Sequence, residues 1–146
     1  MEIGRPNLAQ KNALVVDDDE VILKSLSGWL EYRDWNVVTA CDGTEAFKIM
    51  TRKNDFDLVL TDYNMPRMNG LVLAEKIKDI NPLIRVILVT GTCSSILERE
   101  INIIYIDDVL HKPFSLDELD NVLDECITRN SFADLFTPAI PLWNHS

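Results

Sequence analysis

The sequence predicts an α/β fold, a parallel sheet with helices on both faces, and three features of the chain lead there. From Ala13 onward, short β-branched apolar runs alternate with stretches of helical period, the pattern of successive βα units. The strand-like runs, such as Ala13-Leu14-Val15-Val16, are continuously apolar rather than alternating, as in strands buried on both faces. Several of these runs stop abruptly at acids, a threonine or a lysine, so polar chemistry collects at the strand ends.

Taken in order, Ala13–Val16 forms the first strand, and Asp19 caps a helix over residues 20 to 32, where Val21, Ile22, Leu26, Trp29 and Leu30 recur at helical spacing. Asn36–Ala40 reads as the second strand. Asp42-Gly43 turns into a helix carrying Ala46, Phe47, Ile49 and Met50, and Asp57–Thr61 is a third buried strand ending at Asp62. After a loop with Pro66 and Gly70, a helix with Leu71, Leu73, Ala74, Ile77 and Ile80 stops at Asn81-Pro82. Arg85–Val89 is the fourth strand, closed by Thr90-Gly91. Ser94 to Glu100 looks helical, whereas Ile101 to Ile106 has neither clean period and its state stays open. Val109-Leu110-His111 is a short fifth strand. Ser115-Leu116-Asp117-Glu118 is a capping box opening a last helix with Leu119, Val122, Leu123 and Ile127 on one face. Five βα units result.

With 146 residues and 47% hydrophobic content, the chain supports one domain with a proper core. The expected division is an N-terminal extension over 1–10, a domain over 11–130, and a tail over 131–146 in which Phe132, Phe136 and Trp143 show no periodicity. A net charge of -10 and no basic block argue against binding nucleic acid or an anionic membrane. Cys41, Cys93 and Cys126 are odd in number and lie in no ligand or disulfide spacing, which suits a reducing cytoplasm. No apolar run approaches the roughly 18 residues that a span requires.

In an open parallel sheet the loops at the carboxyl ends of the strands converge on one crevice. Asp17 and Asp18 follow strand one, Asp62 strand three, Thr90 strand four and Lys112 strand five. Each alone has an ordinary reading: an acid run is commonly solvated surface, Lys-Pro a turn, and Thr-Gly strand-end punctuation. Together they say more. Three converging carboxylates repel unless they share a cation, and hard oxygen ligands suit Mg²⁺. The ammonium of Lys112 offsets further negative charge, and the Thr90 hydroxyl can hydrogen-bond an oxyanion. This is equipment for phosphoryl transfer, with Asp62 as nucleophile and the paired Asp17 and Asp18 placed as metal ligands.

Val15-Val16-Asp17-Asp18-Asp19, Thr61-Asp62-Tyr63-Asn64-Met65-Pro66-Arg67-Met68-Asn69-Gly70, Val89-Thr90-Gly91 and His111-Lys112-Pro113-Phe114 closely resemble response regulator receiver domains, in order and spacing, over residues 11 to 130. The resemblance implies a flavodoxin-like (βα)5 fold with strand order 2-1-3-4-5. It implies phosphorylation of Asp62, Asp18 as a direct Mg²⁺ ligand, Asp17 as a ligand through water, and a metal contact from the Asn64 backbone carbonyl. Lys112 corresponds to the phosphate-contacting lysine, preceding a cis proline, and Thr90 to the threonine that moves to the phosphoryl group, with room left by Gly91. Asn64 and Thr92 resemble positions that tune dephosphorylation. Two positions depart from the family's pattern: Val109 stands where an aromatic rotamer switch is usual, and Ile104-Tyr105-Ile106 replaces a small stretch.

The expected partners are a sensor histidine kinase or phosphotransfer protein and a downstream protein target, with a homodimer through the face around residues 94–129 as a further expectation. Two other functions are weighed: a phosphorylation-independent interaction module, prompted by Val109, and an aspartate-based small-molecule phosphatase. The second lacks the acid usual two residues after the nucleophile, where Asn64 stands.

Overall fold

The structure, a computed structural model of the chain, describes residues 10–53, 55–91 and 105–128. Five strands, β1 (Asn12–Val16), β2 (Asn36–Ala40), β3 (Leu58–Asp62), β4 (Arg85–Thr90) and β5 (Asp108–His111), form one sheet in the order β2-β1-β3-β4-β5. Every pairing is parallel. Four helices are described: α1 (Glu20–Tyr32), α2 (Gly43–Arg52), α3 (Gly70–Ile80) and α4 (Leu116–Thr128).

The sheet is buried on both faces because successive side chains of each strand enter opposite cores. Leu14 and Val16 join Ala46 and Met50 of α2 and Leu73, Ala74 and Ile77 of α3 on one side. Ala13 and Val15 join Leu26 and Leu30 of α1 and Leu119 and Leu123 of α4 on the other. Burying each such aliphatic side chain is worth about 1.5–3 kcal/mol, so the two layers fix the register. Register aligns the strand ends: Val16 lies opposite both Ala40 and Thr61, Asp62 opposite Val89, and Thr90 opposite His111.

Local chemistry sets the boundaries. The Asp19 side chain accepts from the Val21 amide and starts α1, as the sequence reading has it. The Ser115 box is reciprocal: the Glu118 amide donates to Ser115 Oγ and the Ser115 amide to Glu118 Oε1, both at 3.1 Å. Asp42, read as a turn residue, is the N-cap of α2, and Glu45 returns a bond to the Cys41 amide. Asn69 caps α3 through the Leu71 and Val72 amides. Asp57, expected in the third strand, precedes it and holds the Asn12 amide with its carboxylate.

Some side chains lie elsewhere than expected. Val21, assigned to the apolar face of α1, is 70% exposed, and His111 at the end of β5 is exposed as well. The segment 92–104, with Thr92, Cys93 and the helical reading of Ser94 to Glu100, lies outside the described residues, as do residues 1–9, the tail 129–146 and the side chain of Ile127. Among the described residues no helix is long and apolar enough to cross a membrane.

Candidate functional site

Sequence places Asp62 at a strand end, and the fold makes it the last residue of β3, with little exposure. Asp17 follows β1 and is buried, with Oδ1 accepting the Asp19 amide at 2.9 Å. Asp18 is exposed at the mouth. Each of Asp17, Asp18 and Asp62 offers a carboxylate oxygen, and these oxygens lie within 4.8 Å of one another. Lys112, on the residue after β5, places Nζ 2.9 Å from Asp17 Oδ2 and 3.7 Å from Asp62 Oδ2.

The Lys112 amide donates to the Thr90 carbonyl at 2.8 Å, and the Lys112-Pro113 peptide is cis, as the resemblance implies. Thr90 ends β4 fully buried, next to the position that faces Asp62 across the sheet. Asn64 is exposed in the loop after β3. The amides of Tyr63 and Asn64 bond the Asp62 carboxylate, so the loop wraps the acid with donors.

Burial, and then the negative charge of Asp17, raise the Asp62 pKa above its ordinary value; Lys112 and the two amides offset this only in part. For Lys112, burial pulls downward, but the hydrogen bond to Asp17 and the charges of Asp62, Asp17 and Asp19 outweigh it and the pKa is raised. The lysine is therefore charged. Three carboxylates against one ammonium leave two negative charges uncompensated, and the donors are hard oxygens, so the cluster fits a small divalent cation such as Mg²⁺.

Two supporting features escaped the sequence reading. Gly70 was only a loop residue there; in the fold a Cβ at that position would stand 2.2 Å from the Asp62 carbonyl oxygen and 2.8 Å from Leu88 Cδ1. The Gly70 amide also donates to the Tyr63 carbonyl at 2.9 Å, so the start of α3 is seated directly on the loop after Asp62. In sequence Asn69-Gly70 signals only a turn, so nothing local announces this close approach. Among the described residues, a Cβ at Gly91 would meet only Lys112 Cβ, at 4.0 Å. Val109, at the usual aromatic position, is buried in the α2–α3 core layer, and Tyr105 packs partly buried against that same cluster.

Comparison with known proteins bears on this geometry. A family model described as the response regulator receiver domain matches residues 13–124. The probable transcriptional regulatory protein TcrX of Mycobacterium tuberculosis is 36% identical over 107 residues, covering 73% of this chain and 45% of that protein. The transcriptional regulatory protein ZraR of Escherichia coli is 34% identical over 133 residues, 87% of this chain and 29% of that protein. The chain thus spans less than half the length of either relative. Among solved structures, response regulator protein TrrA from Thermotoga maritima, in complex with Mg²⁺-BeF, superposes with a TM-score of 0.71 at 31% identity, covering 80% of this chain and 98% of that one.

Proposed function

The chain belongs to the response regulator receiver domain family, and from that premise we propose that it is a phosphorylation switch in which Asp62 accepts a phosphoryl group from a histidine kinase or phosphotransfer protein. The observation that carries this is the convergence of Asp17, Asp18, Asp62 and Lys112 at one end of the sheet. A carboxylate oxygen of Asp62 attacks phosphorus, the donor's bond to phosphorus breaks, and an acyl phosphate forms. Lys112, already 3.7 Å from Asp62, neutralises charge on the transferred group. The Thr90 hydroxyl donates a hydrogen bond to a phosphoryl oxygen. Water later attacks phosphorus, releasing phosphate and restoring the carboxylate.

Asp17, Asp18, Asp62 and the Asn64 carbonyl are the residues that would hold Mg²⁺. When bound, the metal supplies charge neutralisation between nucleophile and phosphoryl oxygens. TrrA, which carries Mg²⁺-BeF, supports that assignment. We assign the switch to residues 11–130, with self-directed phosphotransfer and autodephosphorylation as its only chemistry, acting in the cytoplasm through contacts with a downstream protein. No role for nucleic acid or membrane is assigned to this chain.

Val109, standing where an aromatic rotamer switch is usual, prompts a second reading, in which the chain binds partners without phosphorylation. Intact mass after incubation with acetyl phosphate and Mg²⁺ separates the two. A gain of one phosphoryl group, absent in Asp62→Asn and in chelator, supports the switch. No gain, even with a histidine-phosphorylated donor, sinks it in favour of the binding module, and steady turnover of a phosphate ester would instead mark a phosphatase.

A further inference from the structure

A second concavity, of about 370 Å³, lies between α2 and the loop after β3, and it shares no residue with the Asp62 cluster. Thr44, Lys48 and Arg52 line it at intervals of four residues, so they form one stripe along α2. Arg67, at a φ of 71°, brings a third cation from the loop, and the half-buried Ile49 adds an apolar contact.

The cations of this groove are unspent. Among the described residues Arg33, Lys78, Arg85 and Lys112 are in ion pairs, whereas the side chains of Lys48, Arg52 and Arg67, like those of Lys11, Lys24, Lys53 and Lys76, make none. The two acids of the groove are engaged locally, Asp42 with the Glu45 amide and Glu45 with the Cys41 amide, each at 2.7 Å. A chain of net charge -10 therefore gathers three exposed cations outside any ion pair around one concavity, beside the engaged Asp42 and Glu45. By contrast α4 carries Asp117, Glu118, Asp120, Asp124 and Glu125 with no Lys or Arg.

We propose that this groove is a docking site for an extended acidic segment of a partner protein, with carboxylates at alternate positions. Lys48 and Arg52 are separated by about 6 Å along the helix axis. Alternate side chains of an extended strand repeat every ~6.7 Å, so successive same-side carboxylates meet Lys48 and Arg52. Arg52 and Arg67 suit carboxylates because a guanidinium accepts bidentate pairing. Asp42 and Glu45 at the opposite end repel a continuous polyanion and favour a basic residue flanking the acids. Arg67 belongs to the loop that wraps Asp62, so a partner here reaches that loop without covering the acidic cluster.

The test uses the full ¹⁵N-labelled chain and three probes at low salt: a peptide with glutamates at alternate positions and a flanking lysine, its counterpart with the glutamates consecutive, and inorganic pyrophosphate. The alternate-glutamate peptide is expected to shift amides of α2 and residues 63–69, and to weaken steeply as salt shortens the Debye length below about 10 Å. Lys48→Glu with Arg52→Glu is expected to weaken it at least about tenfold, with phosphorylation by acetyl phosphate unchanged. The proposal is overturned if the peptide binds elsewhere or not at all, if the double variant binds like the wild type, or if pyrophosphate or the consecutive-glutamate peptide binds equally well.

Discussion

Replacing Gly70 by alanine tests how the fold seats the phosphoacceptor loop. Helix propensity alone predicts a gain, since alanine is better than glycine by about 1 kcal/mol inside a helix. At Gly70 the added Cβ would stand 2.2 Å from the Asp62 carbonyl oxygen and 3.1 Å from its carbonyl carbon. These are backbone atoms, which cannot rotate aside as a side chain would, and Leu88 Cδ1 at 2.8 Å closes another direction. Overpacking of this kind costs about 1–3 kcal/mol, and withdrawing α3 also lengthens the 2.9 Å bond from the Gly70 amide to Tyr63, worth about 1 kcal/mol. Sterics win, and the expected net loss is about 1–3 kcal/mol, read as a lower urea midpoint at constant slope. Gly91→Ala, whose nearest contact among the described residues is 4.0 Å, should stay within about 0.5 kcal/mol. Gly28→Ala, inside α1 with nothing within 4 Å among the described residues, should gain about 0.5–1 kcal/mol. If Gly70→Ala proved as mild as Gly91→Ala, the close seating of α3 on β3 would be refuted.

Further outcomes follow from charge and burial. Because the Asp62 pKa is raised above its ordinary 3.8, its contribution to stability is full below that value and is lost as pH rises through the folded-state pKa. In chelator at neutral pH, Asp62→Asn should therefore be more stable than the wild type, and thermal melts should show the gain vanish toward acid. Lys112 works at the other end of the scale: its stabilisation is present below 10.5 and lost as pH rises through its raised value, so Lys112→Met should abolish that alkaline loss. Asp107→Ala removes the partner of Lys78 (2.8 Å) and Arg85 (3.3 Å) and the acceptor of the Val86 amide (2.7 Å). These side chains are mostly buried, and denaturation should show a loss of about 3 kcal/mol. Arg33→Ala, removing the exposed pairs with Asp120 and Asp124, should cost only about 0.5–1 kcal/mol.

Strands were legible where apolar runs were continuous, since burial on both faces leaves no other pattern: β1 gains only Asn12, and the edge strand β2, half-exposed and less apolar, still spans Asn36–Ala40 as read. Caps were legible where the box was complete, as at Ser115, and half-legible at Asp42, whose acid partner Glu45 three residues on was present but unread. The acids, threonine and lysine of the site were found because strand ends of a parallel sheet meet. Invisible were contacts that depend on distance between elements. Asp107 binds Lys78 and Arg85, 29 and 22 residues away, and no local pattern announces that. The contact of Gly70 with the Asp62 backbone and the packing of Tyr105 near Val109 likewise needed the third dimension.

The central claim is that Asp62 itself carries the phosphoryl group, and reductive trapping tests it most directly. The chain is phosphorylated with acetyl phosphate and Mg²⁺, treated with borohydride to reduce the acyl phosphate, digested, and sequenced by mass spectrometry. The account predicts reduction at residue 62, absent without phosphodonor and suppressed by Lys112→Ala. Reduction at Asp17 or Asp18 instead, or a phosphoryl group gained with residue 62 untouched, would contradict it.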